Sequence, residues 1–143
     1  MGDDVRTLAE ERVTITGDGD IVTARQRGRA LAARAGFSAT EATLVATAIS
    51  ELARNIVLYA QRGEIAVALV ENGSRQGIVV LARDDGPGIR DVRRACAGGY
   101  SSSGGLGIGL AGARRLMDEF DVVSEVGKGT RITVKKWNLP KAS

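Results

Sequence analysis

Thr47 to Tyr59, TAISELARNIVLY, has the periodicity of the middle of one long helix. Glu51 and Asn55 stand four residues apart, so both project from one helical face, one turn above the other. Val45, Ile49, Leu52, Ile56 and Tyr59 fall on a different stripe, the face expected to pack on a core. Leu44 and Leu58 lie almost in line with the two polar residues, which suits a pocket wall better than a wholly solvated face. A carboxylate and an amide facing a pocket suit proton abstraction and oxygen-liganded metal binding. A buried polar pair whose members satisfy each other is the plainer alternative.

Upstream, Ser38-Ala39-Thr40-Glu41 has the spacing of a capping box and opens this helix, which is expected to close near Arg62-Gly63. Ile21 to Ala35 reads as an amphipathic helix with Arg25, Arg27, Arg29 and Arg34 largely outward and Gly36 as its stop. Those arginines are either a solvated face or a docking surface. Arg12 to Thr16 alternates like a short strand, and Asp18 or Asp20 is placed to cap the helix after it. Downstream, Glu64–Glu71 and Gly77–Arg83 are strand-like and joined by a polar turn, hence a hairpin. Arg90 to Gly105 has little periodicity and reads as a mobile segment; Leu110 to Phe120 is a further amphipathic helix. Asp121–Val126 and Thr130–Trp137 form a last hairpin, and the tail beyond is expected to fray. The order predicts an α+β sandwich, with helices on one face of a mixed, mostly antiparallel sheet, in a single domain spanning 1–143.

Composition excludes several chemistries. The 143 residues contain no His and one Cys, Cys96. Zinc sites, Ser-His-Asp triads, Cys-His dyads, an internal disulfide and phosphorylation on histidine within the chain are therefore ruled out by inventory. A net charge of +3 with mixed signs, and only two Phe, two Tyr and one Trp, do not indicate nucleic-acid binding. No apolar run approaches the ~20 residues needed to span a bilayer, and the acidic start MGDDVRTLAEER is not signal-like. A reducing cytoplasm is the expected location.

Three further stretches bear on function. Asp84 to Ile89, DDGPGI, ends a strand. A carboxylate followed by glycines there can accept a hydrogen bond from an exocyclic amine while the backbone bends close to a flat ring. It is also an ordinary turn composition. Ser101 to Leu110, SSSGGLGIGL, offers glycine N–H groups to an anion just before a helix N-terminus, or is a flexible linker. Gly107, Gly109 and Gly112 spell the dinucleotide fingerprint, but no strand precedes them as that motif requires. Gly127-Lys128-Gly129-Thr130, taken alone, is a hairpin turn.

Together, Glu-x-x-x-Asn on a helix, Asp-x-Gly-x-Gly after a strand, a glycine-rich segment and Gly-x-Gly-Thr in the last hairpin resemble the GHKL ATPase/kinase superfamily and its Bergerat fold. The segments AISELARNI, LYA, DDGPGIRD, YSSSGGLGIGL and RRLMDEF are similar to the stressosome switch kinases, a serine/threonine kinase branch of the anti-sigma regulators. The resemblance implies ATP and Mg²⁺ as cofactors. By it, Asn55 would ligate Mg²⁺ and Glu51 would be the general base for an acceptor hydroxyl. Asp84 would hold the adenine amine, with Gly86 and Gly88 lining the adenine pocket. Gly105, Leu106, Gly107, Ile108 and Gly109 would approach the phosphates, and Thr130 would sit near the adenine and its Asp. Arg90, Arg93 and Arg94 are candidates for the γ-phosphate.

The function so implied is phosphorylation of STAS-domain scaffold and antagonist proteins, followed on release by activation of a PP2C-type phosphatase. Two other functions compete: an anti-sigma factor kinase that holds a sigma factor directly, and an adaptor that binds ATP without transferring phosphate. An intact Glu51 argues against the adaptor, because binding alone has no use for a base.

Overall fold

A computed structural model describes residues 5–86 and 109–138. Its elements follow the expected order: β1 (Arg6–Ile15), α1 (Asp18–Arg34), α2 (Ala39–Tyr59), β2 (Gly63–Asn72), β3 (Arg75–Asp84), α3 (Gly109–Leu116), β4 (Glu119–Glu125) and β5 (Gly129–Asn138). The strands form one sheet in the order β1-β2-β3-β5-β4, and among the described residues every ladder is antiparallel.

Strand alternation sorts the sheet into two faces. Val13, Ile65, Ala82 and Ile132 make one buried row, and Val67, Val80 and Val134 continue it along the strands. Onto this face α1 brings Ile21, Ala24 and Leu31, and α2 brings Val45, Ile49, Leu52 and Ile56. Leu110, Ala113 and Met117 join the same core from α3 and the residue after it. Burial of each large aliphatic side chain stabilises the fold by roughly 1.5–3 kcal/mol relative to exposure. The two long helices approach closely where Gly28 faces Ile49; a Cβ on Gly28 would run into Ile49 Cδ1.

The local signals for α2 hold at its start. Ser38 Oγ accepts from the Glu41 N–H at 3.1 Å, and Glu41 Oε1 accepts from the Ser38 N–H at 3.3 Å. Gly36, with φ +88°, ends the segment after α1, as the Phe37 N–H returns to the Ala32 carbonyl.

The larger differences from the expected boundaries fall at β1, α1, α2 and α3. β1 starts at Arg6, not Arg12: it is a charged edge strand, with Arg6 paired to Glu71 at 3.2 Å, so polar residues masked its pairing. α1 starts at Asp18 behind Gly17, and the Asp20 carboxylate accepts from the N–H groups of Thr16 and Gly17. α2 ends at Tyr59, and the left-handed residue after it is Gln61, φ +68°. Tyr59, placed on the core stripe, is exposed, because Ile56 and the partly buried Val57 are the last α2 side chains packed on the core. Finally, α3 stops at Leu116, and Glu119 and Phe120 open β4 opposite Lys135 and Val134. The apolar residues Leu116, Met117 and Phe120 fit a helix end and a strand start equally well. Among the described residues, no helix is long and apolar enough to cross a membrane.

Candidate functional site

Ile15, Gly63, Asp84, Thr130 and Ser124 occupy one row across the end of the sheet. Two-residue alternation from Ala82 and Ile132 puts this row on the helix-bearing face. The core therefore gives way to polar side chains at one end of that face, beneath the C-terminal end of α2.

Glycines make the junction possible. A Cβ on Gly63 would lie 2.8 Å from Ile56 Cγ2 and 3.1 Å from Asp84 Cβ. A Cβ on Gly86 would lie 2.5 Å from Ala60 Cβ, so the turn after β3 rests directly on the residue that ends α2. Gly129, at φ +114°, lies against the Asp84 carbonyl and Asp85 Cα. The strand-end box and the last-hairpin box are thus in contact, and the helix that carries Glu51 and Asn55 ends on the first of them.

Asp84 is half-buried, and its Oδ1 accepts the Gly86 N–H at 2.8 Å. Burial pushes its carboxyl above the ordinary 3.8, and the Gly86 N–H opposes that; Asp85 adds to the rise and the Thr130 N–H counters it. A carboxylate that costs energy to keep charged is poised to accept a strong donor such as an exocyclic amine. Thr130 is buried, and its Oγ1 lies 2.9 Å from Ser124 Oγ.

On α2 the Glu51 side chain is 8% exposed and takes a 2.6 Å hydrogen bond from Arg54 Nη1 to Oε2. Asn55 is half-buried one turn further on. Among the described residues no group of three His, Cys, Asp or Glu side chains gathers to hold a metal. The donor set fits an ion held by one protein oxygen together with phosphate oxygens and water, as Mg²⁺ accepts, rather than an all-protein cage. A cavity of about 320 Å³ opens at the same strand ends and reaches Asp84 and Asp85. Its lining of Thr14, Glu64 and Arg83 belongs to the face away from the helices, so it is a hollow at the sheet rim rather than the space between Asp84 and Asn55.

The structure therefore brings Glu51, Asn55, Asp84, Gly86 and Thr130 to one side of the sheet. Gly88, Gly105, Leu106, Gly107 and Ile108, with Arg90, Arg93 and Arg94 and the whole of the expected mobile segment, lie outside the described residues. Gly109 begins α3, as a helix directly behind the glycine run requires. Arg54, Gly63 and Ser124 are site residues that the sequence motifs do not single out. Opposite charges three apart on a helix were the available signal for Arg54; the two others are visible only through strand pairing.

Residues 17–136 match the histidine kinase-like ATPase domain family. The chain is 49% identical to the serine/threonine-protein kinase RsbT of Bacillus subtilis, over 87% of this chain and 94% of that protein. It is 36% identical to an anti-sigma F factor of Clostridium novyi, over 67% of this chain and 71% of that one. Its fold resembles that of one chain in the solved SiaB–SiaC complex of Pseudomonas aeruginosa, with a TM-score of 0.56 at 14% identity, covering 93% of this chain and 91% of that one. The chain belongs to the histidine kinase-like ATPase domain family and, within it, to the serine/threonine-protein kinases of sigma-factor regulation.

Proposed function

We propose that this kinase uses Mg²⁺ and ATP to phosphorylate a serine or threonine of a STAS-domain scaffold or antagonist protein. Once released from that scaffold, it binds and activates a PP2C-type phosphatase. The observation that carries the reading is the row holding Asp84 and Thr130, on the same sheet face as α2 and joined to its end through Gly86 and Ala60. One compartment then receives adenine at the strand end and phosphates toward Glu51 and Asn55. The 49% identity to RsbT over most of both chains supports the switch-kinase reading.

Phosphoryl transfer depends chiefly on positioning and on neutralising charge. Mg²⁺, held by the Asn55 amide oxygen, would supply that neutralisation at the phosphates. Asp84 accepts the adenine amine and fixes the nucleotide's far end, while Glu51 takes the proton of the acceptor hydroxyl. Gly109 and the stretch before it, Gly105, Leu106, Gly107 and Ile108, would supply N–H groups to the phosphates.

Incubation with labelled ATP, Mg²⁺ and a set of STAS-domain proteins tests this. One STAS protein should gain label on Ser or Thr, and the unlabelled kinase should then capture a PP2C-type phosphatase. A kinase that labels none of them and instead retains a sigma factor would move the chain to the anti-sigma factor function suggested by its 36% identical relative.

A further inference from the structure

Arg54 donates from Nη1 to Glu51 Oε2 at 2.6 Å, one turn along α2. The pair is asymmetric, with the Glu51 side chain 8% exposed and that of Arg54 39% exposed. An ion pair at this spacing on an open helix surface contributes little. Here the carboxylate is nearly withdrawn from water, and a charge in that position needs a charge-assisted hydrogen bond to be held there. The planar guanidinium also fixes the direction from which one oxygen is engaged, which a flexible ammonium does not do.

A general base is effective only when its reacting oxygen is held within hydrogen-bond reach of the proton it removes. We infer that Arg54 is a positioning residue for phosphoryl transfer: by engaging Oε2 it fixes the plane and direction of the Glu51 carboxylate relative to the acceptor hydroxyl. This rests on the assignment of Glu51 as the base. In the step it serves, the acceptor oxygen bonds to the γ-phosphorus as the bond from that phosphorus to the β–γ bridging oxygen breaks. ADP leaves with that electron pair, and the hydroxyl proton passes to Glu51. As a positioning residue Arg54 acts through Glu51, on the rate of transfer and not on nucleotide affinity.

A double-mutant cycle separates this role from a merely structural one. Arg54→Ala, Glu51→Gln and the double variant are compared for single-turnover transfer to the STAS acceptor, nucleotide Kd and thermal midpoint. Arg54→Ala should slow transfer at saturating ATP by about tenfold or more and leave the nucleotide Kd within about twofold. Arg54→Lys should recover part of the rate, and it serves as the informative variant should the alanine protein fold poorly. In the Glu51→Gln background, Arg54→Ala should cost nothing further. Arg54→Ala transferring at the normal rate while Glu51→Gln is inactive would overturn the inference and leave the base assignment standing. An equal loss in both backgrounds would overturn it too, since Arg54 would then act independently of Glu51. Full activity in Glu51→Gln would remove the base itself, a different failure.

Discussion

Asp84 and Thr130 face each other across the β3–β5 ladder, although 46 positions separate them in the chain. Both side chains lie on the helix-bearing face, where the carboxylate is half-buried and the hydroxyl buried. The pairing sets the carboxylate proposed to bind adenine in a wall that the last hairpin completes. Asp84→Asn leaves that wall's shape and replaces the charged acceptor with an amide. ATP affinity should fall by about 1.5–3 kcal/mol, roughly 10- to 150-fold, with the thermal midpoint of the ligand-free protein little changed. A calorimetric titration measures it, and an Asn variant binding as tightly as the parent would remove Asp84 from the adenine contact.

The same carboxylate makes stability and binding respond to pH in opposite directions. Its folded-state pKa is raised above 3.8, chiefly by burial. The native protein therefore holds this proton more tightly than the unfolded chain does. The stability it contributes is fully present below 3.8 and is lost as pH rises through the folded-state value. The charged form is the stronger acceptor for the proposed adenine contact, so ATP affinity should rise across that window. Asp84→Asn should flatten both trends in paired melting and binding measurements. Exposed Asp20 has the reverse sign: the Thr16 N–H and hydroxyl hold its pKa below 3.8, so its contribution is lost only as pH falls through that lower value.

Gly127 and Gly129 both have positive φ in the last hairpin, +85° and +114°, but their surroundings differ. A Cβ at Gly127 meets nothing within 4 Å, whereas one at Gly129 would strike the Asp84 carbonyl and Asp85 Cα, both backbone. Gly127→Ala should cost only the backbone term, about 1 kcal/mol. Gly129→Ala adds an overpacking term, for about 2–4 kcal/mol in all, and should weaken ATP binding by displacing Asp84. Urea midpoints at unchanged m compare the two; equal losses would mean that the Gly129 contact is not close.

Local chemistry made much of this legible in the sequence. The capping box at Ser38 and Glu41, the apolar stripe from Val45 to Ile56 and the two hairpins need only neighbours in the chain to specify them. The site was legible as residue types in order, but not as an object. That Gly86 rests on Ala60, or that Ser124 meets Thr130, follows from how the sheet and α2 meet, which no single segment encodes. The first half of β1 is hidden in the sequence because an edge strand is protected by charges such as Arg6, Glu10 and Glu11, which mask its alternation. Gln61 shows the limit most plainly, because a left-handed residue after a helix is expected to be Gly or Asn.

That residue gives a stability prediction of its own. Gln61 is exposed with φ +68°, and its N–H returns to the Ile56 carbonyl at 2.8 Å. Glycine adopts this conformation without the Cβ penalty and keeps the N–H. Gln61→Gly should therefore stabilise the protein by up to about 1 kcal/mol, while Gln61→Val should destabilise it by a similar amount. Equal stabilities for Gly, Gln and Val in denaturant titrations would show that the turn is not held in this conformation.

In the proposed site, Asn55 is the residue that would hold the metal. It offers a single neutral oxygen from α2, and the described residues add no acidic cluster that could hold an ion in its place. Asn55→Ala should weaken Mg·ATP binding and leave metal-free nucleotide binding close to the parent's, since the contact at Asp84 is retained. Chelating Mg²⁺ should weaken ATP binding in the parent protein but change little in the variant, so that the two losses do not add. Were chelation to cost the Asn55→Ala protein as much affinity as it costs the parent, the ion would be held by other residues. The proposed division between adenine at the strand end and metal at the helix would then have to be redrawn.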